Sequence, residues 1–244
     1  MDSDDEIPQL SAGALNALKE FYGDRDTKQK EFEDLKAQAE SDFDGEKKLS
    51  MDAFTEDWNA SQFWYNDETA TLLAEQLLDG ATDDSSIVVV SAPSVFIQLK
   101  NLLASRKYKC RPQMTLLEFD ERFAVFKEFA MYDFEHPMRL PPELKGKFDR
   151  IICDPPFLSE DCQTKAALTV RWLAKSWTTA SAGSNPFRLI VCTGERMENL
   201  IGKLYSKTGI QTTSFEVKHA KGLSNEFRCY SNFECSAWEW ATKP

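Results

Sequence analysis

Asp154, Pro155, Pro156 and Phe157 follow three apolar residues, Ile151, Ile152 and Cys153, in the stretch DRIICDPPFLS. The Asp154 carboxylate can accept one N–H of an amine, and Pro155 keeps a backbone carbonyl for a second. The two prolines fix φ, so both acceptors are set before a substrate arrives. Phe157 adds a flat wall. These four residues together suit the aiming of a nitrogen lone pair at an electrophile. The plainer reading is a strand-ending turn with a satisfied aspartate.

Three other sets share this placement just past an apolar run. Ser91, Ala92, Pro93 and Ser94 follow IVVV. Phosphate- and nucleotide-binding loops at this position are usually glycine-rich, so that backbone can approach the ligand. Here the residues are small but none is glycine, Pro93 removes a donor, and Ser94 could simply cap the next helix. Glu118 and Asp120 follow the next run. A carboxylate about 20 residues or somewhat more beyond the first loop accepts from both ribose hydroxyls. Asp120 ends the run and is preferred over Glu118, with a helix N-cap as its plainer role. Asp133 and Phe134 end a third run, where a carboxylate beside an aromatic suits the amino edge and face of an adenine.

The elements that must position these residues alternate. Apolar runs at 85–91, 114–120, 129–134, 148–154 and 187–194 predict strands. Between them, 95–106, a stretch near ERFAVF, 164–177 and 195–205 predict helices, and QFWYNDETATLLAEQLLDG predicts one before the first strand, stopped at Gly80. Two further strand-like runs, 212–219 and 227–235, lack an intervening helix and predict an antiparallel hairpin at one edge. The fold class is therefore α/β, a doubly wound, mostly parallel seven-stranded sheet. Ligands of such sheets bind outside the carboxyl ends of the strands, where all four sets lie. Before this unit, Leu10, Ala14, Leu15, Leu18, Phe21, Phe32 and Leu35 recur at helical spacing, with Gly23 and Asp24 as a possible break. The expected division is an acidic helical extension over 1–56 and a catalytic domain over 57–244.

Taken together, the motif and the strand order resemble S-adenosylmethionine-dependent methyltransferases of class I that carry (Asp/Asn)-Pro-Pro-(Tyr/Phe/Trp). That group contains adenine-N6 methyltransferases and several protein methyltransferases. QFWYNDET, VVVSAPSVF, LLEFDERF, DPPFLSEDC and NEFRCYSNFEC together are similar to the elongation factor 1-alpha lysine methyltransferase family, whose members were first labelled adenine methyltransferases because of DPPF. The resemblance implies a Rossmann-like fold, S-adenosylmethionine as cofactor and elongation factor 1-alpha as protein substrate. It places Ser91, Ala92 and Ser94 along the cofactor's amino-acid end, and Asp120 at its ribose. Asp133 and Phe134 then lie at its adenine, and Asp154 to Phe157 at the target amine. Phe63, Trp64 and Tyr65 are candidates to wall the lysine stem or cover the cofactor, with core packing as their plainer role. Pro93 departs from the wider group and limits the backbone donors of the loop.

The two candidate targets pose different problems. Adenine N6 is weakly nucleophilic, whereas lysine is a good nucleophile held protonated by a pKa of about 10.4. A carboxylate favours the ammonium, so Asp154 reads as an orienting acceptor rather than the cause of deprotonation. Charge separates the substrates. Residues 1–60 hold 17 acidic and 7 basic side chains, and residues 61–244 hold 23 and 22, within a total net charge of −11. A duplex binder needs a basic surplus, which is missing, so no stable nucleic-acid binding is expected; an acidic segment suits a basic protein partner. The six cysteines form no CxxC pair, and with two histidines no metal site is expected. No signal peptide or membrane span is indicated, so a cytoplasmic enzyme is expected. The alternatives are an adenine-N6 methyltransferase on DNA or RNA, or a non-catalytic interaction module.

Overall fold

The computed structural model describes residues 48–54, 56, 62–178, 187–222 and 226–241, with isolated positions between 13 and 37. Seven strands form one sheet: β1 (Ser86–Val90), β2 (Gln113–Glu118), β3 (Phe129–Met131), β4 (Arg150–Cys153), β5 (Arg188–Gly194), β6 (Gln211–Glu216) and β7 (Phe227–Ser231). Their order is β3-β2-β1-β4-β5-β7-β6. The first five are mutually parallel, and β7 runs antiparallel to both β5 and β6. This is the doubly wound α/β sheet that the alternation of apolar runs predicts. The order reverses between β1 and β4, which opens a crevice at their carboxyl ends.

Among the described residues, four α-helices cover the sheet: α1 (Asp67–Leu78), α2 (Pro93–Ala104), α3 (Glu160–Leu173) and α4 (Glu198–Leu204). Alternate side chains of a strand point to opposite faces. Ile87 and Val89 accordingly join a core with α1 and α2, while Val88 and Val90 join one with α3 and α4. All five β1 residues are buried, as befits a strand with helices on both faces.

Local chemistry sets the boundaries. Asn66 caps α1 by accepting from the Thr69 N–H at 2.9 Å, so Phe63, Trp64 and Tyr65 lie outside the helix that was expected to include them. Gly80, at φ +65°, turns the chain away after α1, as expected. Ser159 caps α3, and Glu160 and Asp161 favour its first turn. The helix therefore starts at Glu160 rather than 164, and it ends at Leu173. The segment after Asp120 is a short 3-10 helix, Glu121–Val125, and 195–205 divides into a 3-10 turn and α4.

Leu49 and Phe54 lie within the core around α1 and α2. The Leu49 N–H donates to Asn101 Oδ1 at 2.8 Å, and Asn101 Nδ2 donates to the Leu49 carbonyl at 2.9 Å. The packed unit thus includes residues on the N-terminal side of the boundary expected at 56. Gly23, read as a possible helix break, is helical, and its carbonyl accepts the Thr27 hydroxyl at 2.9 Å. The apolar stripe from Leu10 to Leu35, and Asp24 with it, falls outside the described residues. Among the described residues no helix is long and apolar enough to cross a membrane.

Candidate active site

A cavity of about 620 Å³ opens at the carboxyl ends of the parallel strands. That volume is within the usual range for small-molecule sites, about 300–1,000 Å³. Its lining comes from the four strand-end segments singled out above, together with residues 62–65, 196, 219 and 227.

At the end of β1, Ser91 takes φ +53°, a left-handed conformation that normally belongs to glycine. The chain needs this turn to pass from strand to helix, and it does so here without glycine. Ala92 is the N-cap and Pro93 the first residue of α2, the one position where proline's missing N–H costs nothing. Ser94 is therefore the second helical residue, buried against the cavity, and not the cap.

At the end of β2, the two carboxylates separate. Glu118 is buried in the cavity wall, and its Oε1 accepts the backbone N–H groups of Phe119 (2.9 Å) and Asp120 (3.2 Å). Burial raises its pKa to about 7, against the pull of those two donors. Asp120 is not in the lining. Its carboxylate receives Arg122 Nε at 3.0 and 2.9 Å, Gln62 Nε2 at 3.1 Å and the Arg122 N–H at 3.0 Å, capping the 3-10 helix. Asp120 is thus spent on its own loop, and of the two carboxylates Glu118 is the one that faces the cavity.

After β3, Asp133 and Phe134 line the cavity. The Asp133 carboxylate accepts the Glu135 N–H at 2.9 Å and pairs with His136 Nδ1 at 2.7 Å, a contact that lowers its pKa. The Phe134 ring lies 5.4 Å from that of Phe157, tilted by 57°. Tyr132 anchors this segment to α3 through its hydroxyl, 3.1 Å from Thr169 Oγ1.

After β4, Asp154 continues the ladder by donating its N–H to the Val90 carbonyl at 3.0 Å. Its Oδ2 accepts the Tyr65 hydroxyl at 2.5 Å. Desolvation pushes the Asp154 pKa up to about 7; the Tyr65 bond opposes this, and the nearby Glu118 charge adds to it. Pro155 is buried, Pro156 is partly buried and Phe157 is exposed at the mouth. Gln163 Nε2 holds the turn from below by donating to the Phe157 carbonyl and to Thr193 Oγ1, each at 3.0 Å. Arg196 donates to the Leu158 carbonyl at 2.8 Å.

The three aromatics before α1 part company. Phe63 lines the cavity. The Trp64 indole packs edge-on against Phe123 and donates to the Phe54 carbonyl at 3.1 Å, which places the ring in the core. Tyr65 is buried with its hydroxyl on Asp154. Arg196, His219 and Phe227 also line the cavity and were missed in the sequence. The rule that found the other segments would have found His219, which ends the run TTSFEVKH: β6 is parallel to β5, because both are antiparallel to β7. Burial lowers the His219 pKa to about 4, so its imidazole is neutral near pH 7.

The family model described as "Probable N6-adenine methyltransferase" matches residues 56–235. The chain belongs to this methyltransferase family. It is 44% identical to the Saccharomyces cerevisiae "Protein-lysine N-methyltransferase EFM5", over 96% of this chain and 95% of that protein. It is 38% identical to the Gallus gallus "EEF1A lysine methyltransferase 1" (95% and 97% covered) and 37% identical to the human protein of the same name (95% and 94%). The family and the fold together imply S-adenosylmethionine as methyl donor. The residues present fit that molecule: a buried carboxyl suited to a ribose diol, an aromatic wall at Phe134, and a tight turn of small side chains at the positive end of α2.

Proposed function

We propose that this protein transfers a methyl group to the ε-amine of a lysine in translation elongation factor 1-alpha, acting in the cytoplasm. Relatives that cover almost the whole chain carry that activity in their names, and one observation carries the reading at the level of residues. Asp154, a carboxyl fixed by Tyr65, stands at the β1/β4 crevice in the same cavity as Glu118.

When bound, S-adenosylmethionine supplies an electrophilic methyl on a sulfonium cation. Glu118 accepts from the ribose hydroxyls of that cofactor, Asp133 and Phe134 flank its adenine, and Ser91, Ala92 and Ser94 line its amino-acid end. Asp154 and the Pro155 carbonyl accept from the target amine and direct its lone pair. Phe157 and Phe63 wall the lysine stem. Pro156 holds the turn rigid. Trp64, whose ring is held in the core, also lines the cavity beside Phe63.

The target enters with a proton to lose. An unperturbed lysine, pKa about 10.4, is almost wholly ammonium at neutral pH. The Asp154 carboxylate favours that ammonium on binding and keeps the amine oriented once the proton has left to water.

The test is methyl transfer from tritiated S-adenosylmethionine to purified elongation factor 1-alpha, beside an adenine-containing duplex and single strand. Label on a lysine of the protein, abolished by Asp154→Ala with cofactor affinity kept within about tenfold, is the expected result. Label on the nucleic acid alone would overturn the reading in favour of adenine N6.

A further inference from the structure

Tyr65 is buried at 4% exposure, and its hydroxyl sits on Asp154 Oδ2. Among the described residues no other group hydrogen-bonds the Asp154 carboxyl. The backbone around Tyr65 is strapped to the segment after β6. Tyr65 forms an antiparallel bridge with His219, Asn66 N–H donates to the Lys218 carbonyl at 3.0 Å, and Ala220 N–H donates to the Trp64 carbonyl at 2.8 Å. The Tyr65 ring packs 5.2 Å from the His219 ring, which in turn meets Phe227 at 4.7 Å. A phenol held by its backbone on one side and its ring on the other has little freedom to leave the carboxyl.

We propose that Tyr65 is a positioning residue for the transfer: it ties down one carboxylate oxygen of Asp154 and leaves the other to receive the target amine. A lone aspartate at a strand end turns freely about its terminal torsion, which has a broad minimum. Anchoring one oxygen fixes the direction of the other. The same bond stabilises the charged form of the carboxyl. Glu118 from the end of β2, Cys153 beside it, Cys192 of β5 and the neutral His219 are the other titratable groups around the pair, with Arg196 on the same cavity wall. The Glu118 charge opposes ionisation of Asp154, and the Tyr65 hydroxyl favours it.

This inference rests on the assignment of Asp154 to the target amine, so its test has one arm without substrate. In the full chain carrying 13C-carboxyl aspartate, the Asp154 signal is assigned by its loss in Asp154→Asn and titrated. The wild-type midpoint should lie near 7. In Tyr65→Phe it should rise by about one unit or more, as expected when a carboxylate loses a hydrogen-bond donor. Methyl transfer by Tyr65→Phe should fall about tenfold at pH 7, and the gap to wild type should narrow to about threefold by pH 9. Affinity for S-adenosylhomocysteine should stay within about twofold, since Tyr65 is assigned no cofactor contact. Should Tyr65→Phe fail to fold, 3,5-difluorotyrosine at position 65 keeps the shape and makes a stronger donor, and the midpoint should move down. An unmoved midpoint, or a loss of activity that is equal at all pH values, would overturn the inference. A moved midpoint without lysine methylation by the wild type would overturn the proposed function and leave the contact standing.

Discussion

Replacing Glu118 by glutamine should weaken cofactor binding far more than removing Asp120, although the sequence favours Asp120. Glutamine keeps the shape of the side chain and an oxygen for the Phe119 and Asp120 N–H groups, but it removes the charge and turns the other carboxylate oxygen into an amide donor. The ribose hydroxyls then lose their charged acceptor, a loss of about 1.5–3 kcal/mol, or roughly ten- to a hundredfold in Kd. Asp120→Ala instead releases Arg122 and Gln62 and uncaps the 3-10 helix. It should cost about 1 kcal/mol of stability and leave Kd within about threefold. The acid–base behaviour of Glu118 sharpens the comparison. With a pKa of about 7, its carboxyl is mostly protonated at pH 6 and mostly ionised at pH 8. A ligand that needs the ionised form should therefore bind about tenfold more tightly at pH 8 than at pH 6, and Glu118→Gln should flatten that dependence. Calorimetry with S-adenosylhomocysteine on the three proteins measures both effects. Equal weakening by Asp120→Ala, or a Glu118→Gln affinity within about twofold of wild type, would refute the assignment.

Two other outcomes follow from the supports of the site. Gln163→Leu removes the amide that joins the Phe157 carbonyl to Thr193; stranding buried polar groups costs about 1–3 kcal/mol. The melting temperature should fall by roughly 2–10 °C in a thermal scan, and kcat should drop while cofactor Kd changes little. In the ligand-free protein, Glu118 and Asp154 each have a folded pKa of about 7, above the unfolded value, so the fold holds protons that the unfolded chain has released. Their stabilising contribution is full at low pH and is lost as pH rises towards 7, whereas the depressed pKa of His219 works in the opposite sense below about 6.5. Between pH 5 and 8, urea melts of Asp154→Asn should therefore gain on wild type by about 1 kcal/mol or more; no relative gain would mean that Asp154 titrates normally.

What the sequence reveals of this site is what is local. The strand–helix alternation fixes which residues stand past the carboxyl end of each parallel strand, so SAPS, Glu118, Asp133 and DPPF are found together on one edge. What escapes depends on contacts made far along the chain. Asp120 and Glu118 are equivalent in sequence; the position of Gln62, 58 residues away, helps divert one of them. Trp64 and Tyr65 are neighbours, yet one ring reaches Phe54 in the core and the other reaches Asp154, 89 positions distant. Ser94 looks like a cap because proline so often marks a turn, but Pro93 opens the helix two residues earlier than a Ser94 cap would. His219 is hidden by direction: only once β7 lies between β5 and β6 does the end of β6 fall beside the active edge.

The two carboxyls also bear on why a motif shared with adenine methyltransferases suits a protein substrate here. Glu118 and Asp154 occupy one cavity, and the charge of the first helps keep the second protonated in the ligand-free protein. Two anions in one low-dielectric space repel each other, and a cation entering that space relieves the repulsion and lowers both pKa values. A lysine ammonium brings such a charge to the site with its own side chain. An adenine brings none, and it arrives attached to phosphates, which this near-neutral domain of 23 acidic and 22 basic residues over 61–244 has no cationic surplus to receive. The selection between substrates therefore does not lie in the Asp-Pro-Pro-Phe turn, whose acceptors serve either nitrogen. Under the proposed function it lies in the charge that must accompany that nitrogen into the cavity, which an ammonium lowers in energy and a phosphodiester raises.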